Sequence, residues 1–304
     1  MRRTILLLIF LTSICSLLKS QDYIYYTQYL FNSLSINPAY AGSQDFINIT
    51  GDIRKQWVGI KGAPLTQTIS AHSPIMNDMC GIGLTIINDK IGVTNQQEFS
   101  ISYSYKISFS NQSLSLGLKG GVNTLNSRFD QLNIDDRSDA EFINNEKAIL
   151  PIFGFGAYLK GSNYFIGLSI PQLYKFFNTN SNNKYFNLQK LCFITGGYLF
   201  DVNKNLKIKP SALAKINFGS VFEMDFTSTL YYKEKFIFGA SYKTLNSVSL
   251  FFEIEFQPRY FLGYSYDVST TNLFHNQYGS HEISLNVFID KKSKKRKVMN
   301  PRYF

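Results

Sequence analysis

Between residues 97 and 110 the chain reads Gln-Glu-Phe-Ser-Ile-Ser-Tyr-Ser-Tyr-Lys-Ile-Ser-Phe-Ser. Phe99, Ile101, Tyr103, Tyr105, Ile107 and Phe109 fall on one face; Ser100, Ser102, Ser104, Lys106, Ser108 and Ser110 fall on the other. A period of two belongs to a β-strand. An apolar face backed by a polar one suits a wall between lipid and water. The same alternation predicts strands over 46–57, 65–73, 81–88, 97–109, 114–126, 149–159, 164–170, 189–200, 207–217, 221–232, 236–244, 247–256, 260–267 and 281–289. Phe222, Met224, Phe226, Leu230 and Tyr232 share a face, as do Val248, Leu250, Phe252, Ile254 and Phe256, with Ser249, Glu253 and Glu255 opposite the second set. The strand count is fourteen, an even number, as single-chain bacterial barrels require. The predicted fold is therefore all-β, a transmembrane antiparallel barrel of about 14 strands.

The connections carry a second signal. Every other one is short and rich in turn residues: 74–80, 110–113, 160–163, 201–206, 233–235 and 257–259. The long ones, 127–148, 171–188 and 268–280, all fall in the opposite set. Outer-membrane barrels have short periplasmic turns and longer external loops. If the first strand runs outward, both ends of the mature chain are periplasmic. A secreted β-sandwich would also alternate, but it gives no reason for this parity of loop length.

Composition supports the barrel. Aromatics make up 16% of the 304 residues, with 27 Phe and 20 Tyr against one Trp. The mean hydropathy is only −0.10, as expected where half of each strand is polar. Arg2 and Arg3 followed by the apolar run 5–18 read as a signal peptide over residues 1–20. An uncleaved anchor is the alternative. Ile14 before Cys15 fits a lipoprotein cleavage box poorly, and no later run approaches the ~20 apolar residues of a membrane helix. The expected organisation is signal peptide 1–20, periplasmic or plug segment 21–45, barrel 46–289 and basic periplasmic tail 290–304.

Cleavage would leave Cys80 and Cys192, too few for a disulfide framework. The net charge is +10, and Lys291, Lys292, Lys294, Lys295, Arg296 and Lys297 crowd the tail. An exported chain rarely meets nucleic acid, so a solvated tail, or one facing an acidic partner or lipid head groups, is expected instead. Before the first strand, Tyr23, Tyr26, Leu30 and Leu34 have spacings suited to one helical stripe, ended by Asn37-Pro38. That piece is expected to plug the periplasmic mouth, wrap the rim or dock on a partner. Trp57, after Arg54 and Lys55, suits an aromatic girdle or a cargo contact.

Catalytic signals are weak. The histidines are His72, His275 and His281. Ser70 shares a strand face with His72, but no Gly-x-Ser-x-Gly elbow accompanies it. Neither the histidines nor the cysteines have metal-ligand spacing. Asp135, Asp136 and Asp139 lack an EF-hand pattern. No enzyme activity, cofactor or metal is expected.

The most specific text lies between residues 26 and 74. Tyr26-Thr-Gln28-Tyr29-Leu-Phe-Asn is followed by Ile-Asn37-Pro38-Ala-Tyr40-Ala-Gly42-Ser. Then come Arg-Lys55-Gln56-Trp57-Val-Gly59-Ile-Lys-Gly-Ala-Pro64 and Thr-Gln-Thr-Ile-Ser-Ala-His72-Ser-Pro74. This text resembles the PorP/SprF family of the type IX secretion system of Bacteroidetes-type bacteria, and the similarity continues through 81–89, 153–171 and 280–283. The resemblance implies a non-enzymatic outer-membrane barrel that supports export or surface attachment of cargo bearing a C-terminal signal, gliding adhesins among them. It implies as partners the periplasmic ring and lipoproteins of that system, its cargo, and outer-membrane lipid. The competing reading is a diffusion channel or a hydrophobic-solute transporter.

Overall fold

The computed structural model describes residues 29, 31–131, 145–172, 191–217, 222–244, 247–271, 277–290 and 303. The signal-peptide segment, Tyr23, Tyr26, Gln28, Leu30, Asp135, Asp136, Asp139, His275 and the cluster 291–297 lie outside these residues.

The strands are β1 (Phe46–Lys55), β2 (Leu65–Ile75), β3 (Cys80–Ile91), β4 (Thr94–Ser108), β5 (Ser113–Ser127), β6 (Glu146–Lys160) and β7 (Tyr164–Ile170). They continue with β8 (Leu191–Tyr198), β9 (Phe200–Asn203), β10 (Leu206–Asn217), β11 (Glu223–Tyr232), β12 (Phe236–Lys243), β13 (Ser247–Gln257), β14 (Tyr260–Ser269) and β15 (Ser280–Asp290). Both β8 and β9 pair with β10, Gly197 opposite Ser211 and Phe200 opposite Ile208. They are two halves of one wall strand broken at Leu199, so the wall has 14 strands. Every described pairing is antiparallel, and β1 meets β15 from Phe46↔Asp290 to Lys55↔His281, which closes the barrel.

The observed strands agree with those the alternation predicts, with ends shifted by a few residues. The alternation also assigns the faces. Phe99, Ile101, Tyr103 and Tyr105 are 45–50% exposed, while Ser100, Ser102 and Ser104 are at most 2% exposed. The outer surface is thus an apolar belt and the inner one is polar, the inverse of a soluble domain. Outward-facing Gln67, Asn88 and Gln97 are aligned across β2, β3 and β4 and hydrogen bonded in series at 3.3 and 3.1 Å. This amide ladder ends the belt on that side. No described helix is long and apolar enough to cross a membrane.

One end of the barrel carries the start of β1, the end of β15 and only short turns, such as 76–79 and 233–235. In these turns Met76, Asn77, Asp78, Lys233 and Glu234 take positive φ between 50° and 67°, the sense that follows strand twist into a tight hairpin. The other end carries the long connections between β5 and β6, β7 and β8, and β14 and β15. The β3–β4 connection at that end is shorter than expected, a two-residue turn at Gly92-Val93. The two are called the turn end and the loop end below.

A charge placed in the belt should destabilise according to depth. Ile101→Arg should lower unfolding stability by about 2–4 kcal/mol, and Thr124→Arg, beside the amide ladder, by about 0–1 kcal/mol. Urea titration of the refolded barrel measures both, and equal losses would contradict this placement of the belt.

Candidate functional site

Much of the described lumen is occupied by the chain's own residues 31–45. Residues 31–45 run inside the wall before β1 begins, and Leu34, Ala39 and Ala41 are almost fully buried. The described part of the segment forms two single 3-10 turns, Ser33–Ser35 and Pro38–Tyr40; of the expected stripe only Leu34 is among the described residues. Pro38 supplies no N–H and suits a first helical position, and Asn37 caps its turn by accepting the Ala39 amide at 2.9 Å. Many remaining polar groups bond to the wall rather than to a helical ladder. Asn37 Nδ2 donates to the Ala157 carbonyl at 3.1 Å, Ser169 Oγ to the Ile36 carbonyl at 2.7 Å, and Ser104 Oγ to the Ala41 carbonyl at 2.6 Å.

The wall makes room for this approach. A Cβ added at Gly81 would overlap the Ala41 carbonyl, and one at Gly117 would overlap the Ala39 backbone. A Cβ at Gly156 would overlap Asn37 Oδ1, and one at Gly167 would overlap Thr195 Oγ1 and crowd Asn37 Nδ2. Inner-face glycine on β3, β5, β6 and β7 is therefore the counterpart of the Asn37–Gly42 text. Tyr40 meets His72 and Tyr158 edge-on at 5.4 Å each, and its hydroxyl accepts from Gln44 Nε2 at 2.9 Å.

Toward the loop end the lumen is crossed by charge. Arg54 on β1 pairs with Asp267 on β14 at 2.6 Å and with Glu282 on β15 at 3.1 Å. Lys243 on β12 reaches the same Asp267 oxygen at 3.2 Å. Lys215 pairs with Asp225 at 2.8 Å, and Lys119 pairs with Glu98, which also accepts from Gln172 at 3.2 Å. All these ion-pair members are nearly fully buried. Such pairs add little net stability, but removing one partner strands a charge at a cost of about 3–5 kcal/mol. Their effect is to tie strands together across the mouth.

The expected site residues separate into two groups. Tyr29, Asn37, Pro38, Tyr40, Gly42, His72 and Pro74 come together inside the barrel. Tyr29 hydroxyl lies 3.4 Å from Thr227 Oγ1, and a Cβ on Gly42, which has φ +65°, would crowd Gly81 and Pro74. His72 Nδ1 accepts the Gly42 amide at 3.3 Å, and neither ring nitrogen bonds to a serine. Its place is in holding the segment, not in a serine–histidine pair. Lys55, Gln56, Trp57, Gly59 and Pro64 lie at the loop end. There Gln56 N donates to the Pro64 carbonyl at 3.0 Å, and Val58 exchanges backbone bonds with Tyr278 and Gly279. β1 stops at Lys55, two residues short of Trp57, because Trp57 turns the chain with φ +45°. Arg54, at the same end of β1, points into the lumen. Among the described residues no group of three His, Cys, Asp or Glu side chains is placed to hold a metal ion. Sequence reading missed the charge network and Tyr303. The inner-face position of Arg54, Lys215, Lys243, Asp267 and Glu282 was available from the alternation alone.

Comparison with known proteins agrees with this geometry. The model of the family described as "Type IX secretion system membrane protein PorP/SprF" matches residues 18–287. No curated protein matches the chain. Among solved structures, outer membrane protein Omp33 of Acinetobacter baumannii is similar with a TM-score of 0.50 at 9% identity, over 82% of this chain and 100% of that one. At that identity the likeness concerns the fold alone. A Rhodopseudomonas blastica porin variant (TM-score 0.38, 10% identity, 80% of this chain and 99% of that one) and CdiB from A. baumannii (0.42, 8%, 81% and 60%) are too distant to add to it.

The seat of residues 31–45 can be loosened without opening the wall. Asn37→Ala should weaken docking by about 1–3 kcal/mol, the cost of leaving buried partners unpaired, and Gly117→Leu should expel the Pro38–Tyr40 turn. Added protease should then cut within 31–45 faster while the barrel keeps its folded gel mobility. An unchanged cleavage rate in both variants would contradict the packing.

Proposed function

The chain belongs to the PorP/SprF family of type IX secretion system membrane proteins, and from that premise we propose that it is a non-enzymatic outer-membrane component that supports export or surface attachment of cargo. The carrying observation is the obstructed lumen: residues 31–45 and the charge layer take up space that a conduit would need. Its contribution then lies in the surfaces it presents at the two mouths. The turn end is assigned to the periplasm, because short turns gather there. The chain enters β1 and leaves β15 at that end, and the cluster Lys291, Lys292, Lys294, Lys295, Arg296 and Lys297 follows Asp290 in the sequence. That charge suits an acidic face on the periplasmic machinery or a lipoprotein of the system. The loops between β5 and β6 and between β7 and β8 are the contacts offered to cargo, including gliding adhesins.

Deleting the gene in its native host and comparing surface and released proteins by mass spectrometry tests the role. Loss of proteins carrying the type IX C-terminal signal supports it, and whether one or all are lost separates a cargo-specific from a core component. Complementation with the six tail cations changed to glutamine should restore only part of the loss; full restoration removes the tail from the account. An unchanged secretome would instead favour the competing reading, a diffusion channel or hydrophobic-solute transporter, which requires residues 31–45 to leave the lumen.

A further inference from the structure

Tyr303 lies thirteen residues beyond the end of β15 (303 − 290), yet it is 1% exposed. Its ring packs against Leu199, Tyr231 and Ile237, which belong to the break between β8 and β9, to β11 and to β12. It meets Tyr231 edge-on at 5.0 Å, and Lys207 Nζ stands 4.5 Å from its centroid. The hydroxyl donates to Glu234 Oε1 at 2.8 Å, and the backbone carbonyl accepts from Lys209 Nζ at 3.1 Å. Ring, hydroxyl and main chain are thus each held by a different wall residue. Burial, with Glu234 beside it, raises the phenol pKa far above its ordinary value, so the hydroxyl stays a donor.

The pocket adjoins empty space. A cavity of about 70 Å³ lies between Tyr29, Phe31 and Ile36 on one side and Ser211, Thr229 and Glu253 on the wall. Lys209, Tyr231 and Ile237 line this cavity as well as the Tyr303 pocket. These three residues sit near the turn end of their strands, and Tyr303 is therefore on the turn-end side of the cavity. The volume holds a few waters, and its lining mixes a cation, a carboxylate, hydroxyls and rings.

We propose that Tyr303 is a built-in stopper, its seated ring closing the cavity toward the turn end. Withdrawing the ring opens the cavity from that side while residues 31–45 stay in place. The inference does not depend on the secretion role, because it is read on the purified chain.

The test uses thiol labelling of the full-length folded protein with Cys80 and Cys192 replaced by serine. Ser211→Cys reports on the cavity, and Ser102→Cys on the opposite wall serves as the control. Tyr303→Ala should raise the rate at which a charged, membrane-impermeant thiol reagent labels Ser211→Cys by at least about tenfold, since it removes a buried ring's contacts. Labelling of Ser102→Cys should not change. Gel mobility with and without heating verifies that each variant is a folded barrel. Equal labelling of Ser211→Cys with and without the Tyr303 ring overturns the stopper. So does equal acceleration at both reporters, which would mean that Tyr303 tightens the whole barrel rather than closing one cavity.

Discussion

At lipid depth every backbone N–H and C=O must be paired within the protein, because no water is present to take the place of a partner. For a chain of strands the solution is a closed cylinder without edges. Pairing β1 with β15 supplies it. Closure then imposes the period of two, since each strand shows one face to lipid and the other to the interior. It also creates an internal space that the wall itself does not fill. Much of the remaining structure answers the question of what occupies that space.

The answer differs along the axis. In the turn-end half, residues 31–45 approach the wall so closely that glycine is required on it at positions 81, 117 and 156. In the loop-end half, Arg54, Lys243, Asp267 and Glu282 join β1, β12, β14 and β15. Hydrogen bonds link the halves: Thr50 donates to Asn286 at 2.6 Å, and Asn286 to Glu253 at 3.2 Å. Desolvation cancels much of the attraction within buried ion pairs, so the charge layer serves to hold a particular arrangement of strands more than to stabilise it. The backbone bonds made by Asn37, Ser104 and Ser169 act likewise, fixing the register of an irregular segment that has no ladder of its own.

What the sequence reveals follows from this division. Each strand is legible because its apolar face is a local pattern, repeated every second residue and independent of any other strand. The inner contents are not legible, because their partners are remote: Asn37 bonds 120 residues away to Ala157, and Arg54 bonds 228 residues away to Glu282. The Asn37–Gly42 text is conspicuous in the sequence, but only the fold shows that its counterpart is a set of glycines on four other strands. Between Ser33 and Tyr40 the chain makes two short turns, since Pro38 and the bonds to the wall take the place of a continuous helical ladder there. Trp57 is read as the end of a strand because its neighbours alternate, and only its positive φ shows that the chain has already turned. Tyr303 has no periodic context at all, and its burial depends on a pocket assembled from β10, β11, β12 and a turn.

The family gives this barrel its setting, and the obstructed lumen bears on what it does there. On the function proposed above, a barrel with residues 31–45 packed inside its wall displays loops and chain ends to partners rather than passing solutes. Single-channel recording in planar bilayers tests that claim most directly, comparing the intact chain with one lacking residues 22–44. The intact barrel should insert without steady conductance, and the deletion should produce discrete open-pore steps. A steady current through the intact chain, or silence from both folded forms, would contradict the claim that this segment seals the barrel.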